Sequence, residues 1–324
     1  MSLRDEVLEI LLKSGDTYCS GGDLAEQLGV SRTAVWKAVN QLKADGADIS
    51  SVTNRGYRLN AAPDLFSEAH FRSLISGCRI NWKPCYFAEI GSTNDSAKEL
   101  AAKGAPEGTV VLADKQTAGK GRKGKGFHSP EGGRGLYMSL VLRPTSLPLS
   151  DMMAVTACTA SAVHEALQEF GVFAKIKWVN DLFLNGRKIC GILSEGSFNA
   201  ELLAMDFLVV GIGINLHPDP HLPEELRTIV TDIETESGIS IRRFELSAAI
   251  LRHLEQLIAE LPERTYLSTY REYSMTLGRR VVVQGKDGEC AARAVGYEED
   301  AGLIVEHDDG TREVIRTGSA VFVD

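Results

Sequence analysis

Residues 119–126 have the sequence Gly-Lys-Gly-Arg-Lys-Gly-Lys-Gly, and they lie in a long segment, residues 64 to about 275, where predicted strands and helices alternate. That alternation is typical of an α/β or α+β core. Glycine permits close backbone approach and the cations attract phosphate, so the stretch is either a loop that orders around a nucleotide or a basic surface loop. It is not a Walker P-loop, because Gly126 replaces the required Ser or Thr and residues 127–130, Phe-His-Ser-Pro, cannot open the required helix.

The segment around this loop contains several predicted strands and helices. The strands are Thr109–Ala113, Leu136–Leu142, Lys175–Trp178, Leu182–Leu184, Lys188–Leu193 and Phe207–Ile214. The helices are Asn94–Ala102, Met152–Phe170 and Phe244–Leu261, the last with leucine and isoleucine along one face. Asn185 and Gly186 predict a type I′ hairpin between two of the strands.

Four further polar clusters each have a structural and a functional interpretation. Residues 91–94, Gly-Ser-Thr-Asn, either cap the helix that follows or bind a polar ligand at its N-terminus. Residues 177–181, Lys-Trp-Val-Asn-Asp, end a strand and either make a turn or meet a nucleotide or metal ion. Lys188 follows the hairpin turn, where a lysine is usually just solvated. Residues 211–216, Gly-Ile-Gly-Ile-Asn-Leu, place glycines on an apolar strand, which costs stability unless something approaches closely.

Residues 1–60 predict a winged helix-turn-helix. A first helix is followed by a second at Asp23–Leu28, a turn at Gly29, a third helix capped by Ser31 and a two-stranded wing over residues 49–59. The third helix and the wing tip expose the side chains that we expect to reach DNA. These are Arg32, Thr33, Lys37, Asn40, Lys43 and Arg55.

The local charge of this module is modest. Residues 31–58 contain five basic and two acidic residues, so one copy should bind DNA weakly at physiological salt. A dimer that reads two half-sites would remedy this. The alternative is a protein-interaction module or a vestigial domain.

From Gly278 onward, short strands without a helix predict a small β-barrel of about fifty residues. Residues 61–63, Ala-Ala-Pro, form a short linker. We therefore expect three domains, with limits 1–62, 63–275 and 276–324.

Composition narrows the class of protein. Hydrophobic residues make up 44% and charged residues 24%, as in ordinary globular chains. The six cysteines include no Cys-x-x-Cys pair, which favours reduced cytosolic thiols over a disulfide framework or zinc site. The start of the sequence lacks the pattern of a signal peptide, and no apolar run is long enough to span a membrane. We expect a cytoplasmic protein with no membrane association, and the net charge of −9 argues against a general nucleic-acid coat.

The order and spacing of the polar clusters are more specific than any one of them. Five motifs follow one another here in an order that resembles that of the biotin–protein ligases. They are Ser-Thr-Asn, Gln116 with residues 119–126 (the Gly/basic loop), Lys-Trp-x-Asn-Asp, Gly-Arg-Lys-x-x-Gly-Ile-Leu and Gly-x-Gly-Ile-Asn. With the winged helix in front, the chain resembles the bifunctional biotin ligase and biotin operon repressors. The resemblance covers nearly the whole chain. It implies a multi-domain α+β protein with a winged helix-turn-helix, a central α/β ligase domain of the biotin/lipoate ligase type and a C-terminal SH3-like β-barrel.

The resemblance also implies an activity. Such enzymes join biotin to ATP, with Mg²⁺, to give biotinyl-5′-AMP, and then transfer biotin to a lysine of the biotin carboxyl carrier protein of acetyl-CoA carboxylase. In the repressors of the family, biotinyl-5′-AMP is the corepressor: it favours a homodimer that binds operator DNA and represses the biotin biosynthesis genes.

The resemblance also implies roles for the residues that occupy the motif positions of the family. The resemblance assigns biotin binding to Ser92, Thr93, Asn94, Gln116, Lys120, Gly121, Arg122 and Lys188, and it makes Lys188 and Arg122 the catalytic pair. It assigns ATP and the adenylate to Arg122, Asn180, Asp181, Gly213 and Asn215. Mg²⁺ is expected to be held mainly through ATP, with Asp181 as the candidate protein ligand.

Some residues depart from the family pattern. Val179 stands where the family commonly has Pro, Lys120 and Lys125 fill arginine positions, and Phe127 replaces a more usual Trp. Lysine keeps the charge but not the bidentate geometry of arginine, which would weaken retention of the adenylate. Three alternatives stay open: a lipoate–protein ligase, a ligand-sensing transcription factor without ligase activity, and a ligase that does not repress.

Overall fold

The structure, a computed structural model, describes residues 2–61, 64–143, 152–199, 204–285 and 288–323. The chain divides into two compact units, Met1–Gly77 and Cys78–Asp324. Residues 62 and 63 of the expected linker lie outside the described residues. Within the described ranges, none of the helices is both long enough and apolar enough to cross a lipid bilayer.

The first unit is built from short helices and one hairpin. Its elements are α1 Leu3–Ser14, α2 Gly21–Leu28, α3 Arg32–Ala44, β1 Ile49–Val52, β2 Gly56–Leu59 and α4 Glu68–Leu74. The side chain of Ser31 accepts the backbone N–H of Ala34 and so caps α3. Gly29 ends α2 with a φ of 66°, a conformation that glycine adopts without a steric penalty.

An apolar core holds the helices of this unit together. Val7 and Leu11 of α1 pack with Leu24 of α2 and with the stripe of α3. That stripe is Val35, Val39 and Leu42, all at most 1% exposed. The antiparallel β1–β2 hairpin closes the core with Ile49 and Leu59. The predicted helix-turn-helix and its two-stranded wing are therefore confirmed.

The second unit is organised around a mixed seven-stranded sheet. Its strands are β3 Lys83–Ile90, β4 Thr109–Gln116, β5 Gly135–Leu142, β6 Lys175–Lys177, β7 Asp181–Leu184, β8 Arg187–Asn199 and β9 Ala204–Asn215. They pair in the order β3-β4-β5-β9-β8-β7-β6. Only β3 and β4 are parallel, and the other neighbours are antiparallel. The helices of the unit are α5 Thr93–Ala102, α6 Met152–Glu169, α7 Ile233–Ser237, α8 Arg243–Ala259 and α9 Tyr266–Glu272.

One face of the central strand β9 is packed along part of its length and open, at the site, along the rest. Phe207 and Val209 pack with Ala97 of α5, and the next residues on this face are glycines 211 and 213. Leu208 lies on the other face, where it and Met152 of α6 both lie against Gly196. On the first face, the change from large apolar side chains to glycine turns packed core into an open floor, while the alternate residues face the other side of the sheet.

The sequence missed one edge strand and several short helices in the two units. Strand β3 carries Pro84 and lies at the edge of the sheet with mostly exposed or half-buried side chains, so it lacks the apolar run of a central strand. Helices α4, α7 and α9 have only five to seven residues, too short for a helical period to show. The Asn185-Gly186 turn is confirmed, because both residues have positive φ values, 47° and 81°.

The chain ends in an antiparallel five-stranded sheet. Its strands are β10 Arg280–Gly285, β11 Gly288–Tyr297, β12 Leu303–Glu306, β13 Arg312–Ile315 and β14 Val321–Phe322, in the order β13-β12-β11-β10-β14. The predicted all-β region is confirmed, but among the described residues the pairing leaves β13 and β14 as edges. The sheet is fastened to the rest of its unit: the Trp178 indole donates to the carbonyl of Ala301 over 2.9 Å, and the Tyr266 hydroxyl donates to that of Glu299.

Candidate active site

A cavity of about 510 Å³ opens on the glycine-bearing face of the seven-stranded sheet. Seven lysine and arginine side chains line it, but only three aspartates do. They are Lys120, Arg122, Lys123, Lys125, Arg134, Lys177 and Lys188, against Asp181, Asp219 and Asp232. In a chain of net charge −9, this concentration of positive charge favours an anionic ligand.

One end of the cavity is a hydrogen-bonded network at the start of α5. Gln116 Oε1 accepts the backbone N–H of Thr93 over 2.8 Å and its hydroxyl over 3.0 Å. The hydroxyl oxygen of Ser139 lies 2.8 Å from Thr93 Oγ1 and 2.6 Å from Asn94 Oδ1. Ser92 caps the helix. The capping interpretation of residues 92–94 is confirmed, and the same residues also line the cavity, so ligand binding by them stays a prediction.

The Asn94 amide is fixed from its other side as well. Its Nδ2 donates to Glu195 Oε2 over 2.8 Å, and Glu195 also pairs with Lys98 at 2.7 Å. Lys98 in turn contacts Asp95, whose carboxylate reaches Lys120 at 2.6 Å. Burial alone would raise the pKa of Asp95, but the hydrogen bonds from Lys120 and Lys98 hold this pKa below its usual value. A chain of charges thus ties the Gly/basic loop to α5.

The floor of the cavity is backbone. A Cβ atom on Gly211 would lie 2.0 Å from Asn94 Oδ1, and one on Gly213 would lie 2.6 Å from the Phe127 ring. Both distances are far inside contact range, so a side chain at either position would force Asn94 or Phe127 to move. The glycines that interrupt the apolar strand are explained by this close approach.

The Gly/basic loop is folded back on itself. The backbone N–H of Gly121 donates to the carbonyl of Lys125 over 2.7 Å, and that of Phe127 donates to Gly119 over 2.9 Å. Residues Arg122–Gly124 make only a short 3₁₀ turn with Lys123 at a positive φ, and no helix follows over residues 126–134. The exclusion of a Walker P-loop is confirmed.

Two cations face the β6–β7 turn and β7. Arg122 Nη1 donates to Asn180 Oδ1 over 3.0 Å, and Lys188 Nζ lies 2.7 Å from Asp181 Oδ1. Burial lowers the pKa of the Arg122 guanidinium from its usual value, and the Asp181 carboxylate opposes that shift. Because both cations are partly desolvated, an anion placed between them would interact more strongly than at an open surface.

All the residues that the sequence assigned to the ligands line this one cavity. They are Ser92, Thr93, Asn94, Gln116, Lys120, Gly121, Arg122, Asn180, Asp181, Lys188, Gly213 and Asn215. Asn215 turns its amide to the carbonyl of Thr231, at 2.9 Å. The individual roles of these residues stay predictions.

The sequence missed Ser139 and Glu195, and it placed Lys177 in a polar cluster without assigning it a role. Ser139 is a fully buried hydroxyl in the apolar strand β5, and a polar residue in such a run is the signal that could have identified it. Glu195 gave no signal, because its role depends on the pairing of β8 with β9 and the approach of α5. Lys177 lines the cavity, and burial lowers the pKa of its ammonium group.

The first unit presents a second polar surface, along α3 and the wing. All six residues predicted to face DNA are exposed: Arg32, Thr33, Lys37, Asn40, Lys43 and Arg55. The Arg55 and Arg58 guanidinium groups lie 4.5 and 5.0 Å from the centre of the Tyr18 ring, which orients them at the wing. Trp36, which the sequence did not single out, is 54% exposed on α3.

Comparison with known proteins gives the class first. Residues 86–215 match the Biotin/lipoate A/B protein ligase family, and residues 4–58 match an HTH domain. The chain is similar to a solved biotin protein ligase from Aquifex aeolicus in complex with biotin and ATP, with a TM-score of 0.62, 27% identity and coverage of 74% of this chain and 97% of that one.

Individual relatives then identify the family within this class of protein. The Bifunctional ligase/repressor BirA of Bacillus subtilis is 34% identical over 97% of each chain, and that of Escherichia coli is 29% identical over 92% of this chain and 91% of its own. The Biotin--[acetyl-CoA-carboxylase] ligase of Mycobacterium tuberculosis is 28% identical over 79% of this chain and 95% of its own. The chain belongs to the BirA family of bifunctional ligase/repressors.

Proposed function

We propose that the protein is an ATP-dependent biotin–protein ligase that forms biotinyl-5′-AMP, transfers biotin to a lysine of the biotin carboxyl carrier protein of acetyl-CoA carboxylase, and represses transcription in response to biotin. The observation that carries the proposal is the cationic cavity, which has a neutral hydrogen-bonding end at α5 and a charged end at Lys188. A neutral ring system with a carboxylate tail, joined to a nucleotide, fits that division. The relatives named above are bifunctional ligase/repressors and biotin ligases.

In the first step, a biotin carboxylate oxygen attacks the α-phosphorus of ATP, and the bond to pyrophosphate breaks. Both reactants are anions, so the barrier contains their mutual repulsion. The Lys188 ammonium and the Arg122 guanidinium face one cavity and would neutralise the carboxylate and the α-phosphate together. Residues 92–94 and Gln116 would hold the biotin rings so that the carboxylate points at the phosphate.

In the second step, the carrier lysine attacks the acyl carbon of biotinyl-5′-AMP. The bond to the phosphate oxygen breaks, AMP leaves with the electron pair, and the amine loses a proton. No covalent intermediate on the protein is required. Lys188 would stay with the phosphate as charge develops on AMP, and the Gly/basic loop would shield the mixed anhydride from water.

Mg²⁺ fits this site in a limited way. Mg²⁺ is commonly held by one or two carboxylates together with substrate phosphates, and Asp181 beside the Asn180 amide offers such a carboxylate at the nucleotide side of the cavity. When bound, the ion would supply charge neutralisation to the triphosphate. Asp181 also pairs with Lys188, so its carboxylate would contact both the lysine and the ion.

Repression would use the first unit. The exposed side chains of α3 suit the major groove of DNA, and Arg55 at the wing suits the phosphate backbone of DNA. Since the local charge is only +3, we propose that a homodimer favoured by biotinyl-5′-AMP binds a two-part operator at the biotin biosynthesis genes.

We also propose the domain limits, the form of the C-terminal sheet and the location of the protein, on the basis of its similarity to the bifunctional ligase/repressors. The domain limits 1–62, 63–275 and 276–324 and the SH3-like form of the five-stranded C-terminal sheet belong to this proposal, and so does a cytoplasmic location. The short antiparallel strands and their tight turns support the SH3-like form.

The experiment that tests the ligase is an acylation assay followed by mass spectrometry. The purified chain is mixed with ATP, Mg²⁺ and an unmodified carboxyl carrier domain, with biotin or lipoate supplied in parallel. We expect a biotin adduct on one carrier lysine that depends on ATP. An adduct with lipoate alone would identify a lipoate ligase, and no adduct with either acid would leave a ligand-sensing transcription factor.

Repression is tested separately, by binding to a duplex from a biotin-synthesis promoter of the same genome. We expect binding to strengthen when biotin and ATP are both present. Binding that ignores both compounds would overturn the corepressor mechanism, and no binding under any condition would leave a ligase that does not repress.

A further inference from the structure

The C-terminal sheet brings together three side chains of the kinds that bind metal ions. Cys290 lies on β11, His307 directly follows β12 and Glu313 lies on β13. A thiol sulfur, an imidazole nitrogen and a carboxylate oxygen of these residues all lie within 4.8 Å of one another. None of the three lines the cavity described above.

The strand register explains why they converge. Cys290 pairs with Val283, and Glu313 pairs with Val305, so each stands opposite a buried valine of the apolar face. His307 follows Val305 by two residues and continues the same face. The three side chains therefore point to one side of the sheet, at one end of neighbouring strands. Each is half-buried, so water has access.

The backbone around the cluster is fixed. The N–H of His307 donates to the carbonyl of Thr311 over 2.9 Å, and the N–H of Gly310 donates to the carbonyl of His307 over 3.0 Å. Glu313 lies within the β12–β13 ladder. Ligands carried by strands and a closed turn hold their positions better than ligands on an open loop.

The distances suit a tetrahedral ion. Ligands at the usual zinc distances of about 2.0–2.3 Å stand roughly 3.3–3.7 Å apart around a tetrahedron. His307 Nε2 and Glu313 Oε2 are already 3.5 Å apart. The Cys290 sulfur lies within 4.8 Å of both of these atoms, and a side-chain rotation that moves it by about 1 Å brings it into the same range. A pair of His and Glu alone is an ordinary ion pair, and the thiol is what makes the set selective.

We propose that Cys290, His307 and Glu313 form a binding site for a borderline-soft divalent metal ion, with Zn²⁺ favoured by the donor set and water in the fourth position. Sulfur and imidazole donors select zinc over Mg²⁺ or Ca²⁺, which prefer oxygen. The ion would join β11, β12 and β13. It would lie at the opposite end of the β11–β12 hairpin from Ala301, whose carbonyl meets Trp178.

Cobalt substitution tests the site directly. The full chain, without an affinity tag, is treated with chelator, freed of it and titrated with Co²⁺. We expect one equivalent to bind with the thiolate-to-cobalt charge-transfer absorption of a sulfur ligand, and Zn²⁺ to displace it, as zinc binds such sites more tightly. The absorption distinguishes this site from oxygen ligands near the active site. No charge-transfer band would overturn the proposal.

Variants locate the ion. Cys290→Ser should abolish the band, and His307→Gln should weaken binding by at least the ~10–100-fold that loss of an outer-shell partner costs. Cys78→Ser, another half-buried thiol in the same unit, is the matched control and should keep the band. A band that survives Cys290→Ser would place the ion at another thiol and refute the assignment.

Circular dichroism of each metal-free variant shows whether it has folded. Glu313→Gln preserves shape and removes only the charge, so it should fold and bind the ion more weakly. Unchanged affinity in that variant would remove Glu313 from the site. The biotin acylation assay should give the same rate for Cys290→Ser as for the parent chain, so the failure of either proposal can be distinguished from failure of the other.

Discussion

The cavity of the second unit and the exposed face of α3 both carry polar residues for ligands, but they hold them in different ways. In the cavity, Thr93, Asn94 and Gln116 are joined to one another or to Ser139 and Glu195 by hydrogen bonds of 2.6–3.0 Å. On α3, the residues that face outward are exposed and rest on a core stripe behind them.

The two sites therefore distribute their binding energy differently. A preorganised, partly dry cavity concentrates electrostatic effects on a few groups, so single substitutions should be costly. An exposed basic face acts through many weak, salt-screened contacts, so single substitutions should be mild.

Lys188→Ala should give the largest loss. Removal of this ammonium leaves the developing charge on the α-phosphate with one cation fewer, and we expect formation of biotinyl-5′-AMP to fall by about 10²–10³-fold. Pyrophosphate release measures that step. The matched control is Lys103→Ala, an exposed lysine paired with Glu99, which should leave the rate unchanged. Equal rates for Lys188→Ala and the parent would exclude Lys188 from the reaction.

Gly211→Ala should damage the floor. The new Cβ would lie 2.0 Å from Asn94 Oδ1, so the amide must move. We expect biotin to bind about 10–100-fold more weakly and the free energy of unfolding to fall by about 1–3 kcal/mol. In the control Gly196→Ala, the nearest neighbour is the flexible end of Met152 at 3.4 Å, so the substitution should be tolerated. Calorimetry measures both quantities, and equal biotin affinity in the two variants would contradict this account of the floor.

Arg122→Gly should loosen the adenylate. The loss of a charged hydrogen bond, worth about 1.5–3 kcal/mol, should speed dissociation of biotinyl-5′-AMP by roughly tenfold or more. Release of labelled adenylate into a chase measures it. Lys123→Gly is the control for loop flexibility, because Lys123 already has a positive φ of 56° that glycine accepts without strain. If Lys123→Gly released the adenylate as fast, flexibility rather than the guanidinium would be responsible.

Lys37→Ala should have a mild and salt-dependent effect. A lysine that contacts one phosphate contributes about one unit to the slope of log affinity against log salt. We expect that slope to fall by about one, with no change in biotin transfer. Lys13→Ala, on α1 of the same unit and 73% exposed, should leave the slope unchanged. A loss of ligase activity in Lys37→Ala would break the separation between the two surfaces.

Trp36→Ala should have the smallest effect on the fold. The ring is 54% exposed, so the free energy of unfolding should change by less than about 0.5 kcal/mol. If this ring makes apolar contact with thymine methyl groups, promoter affinity should fall all the same. Thermal unfolding and a DNA titration measure the two quantities. A large loss of stability would show that Trp36 belongs to the core.

Much of the fold could be predicted from local pattern. The stripe of α3 and the serine cap at Ser31 are written in consecutive residues, and so is the Asn185-Gly186 turn. The edge strand β3 could not be found in this way, because its parallel partner β4 follows only after α5 and its side chains are mostly polar or half-buried. Its position depends on pairing across the chain.

The candidate site was predictable in membership but not in arrangement. Motif order was enough to name residues that share one cavity, including Gln116 and Lys188. The pairing of Lys188 with Asp181 and the link from Asn94 to Glu195 needed the register of β7, β8 and β9. Asn94 and Glu195 are 101 positions apart, and a contact across that separation leaves no local mark in a sequence.

The backbone floor at Gly211 and Gly213 limits how this pocket can change during evolution. A side chain at either position would collide with Asn94 or Phe127, so the floor itself has little room to change. New ligand preferences would have to arise from the walls, namely α5, the Gly/basic loop and the β7–β8 hairpin. The opposite face of the same strand is buried core, so a change in the backbone of β9 that altered the shape of the pocket would also alter the stability of the sheet.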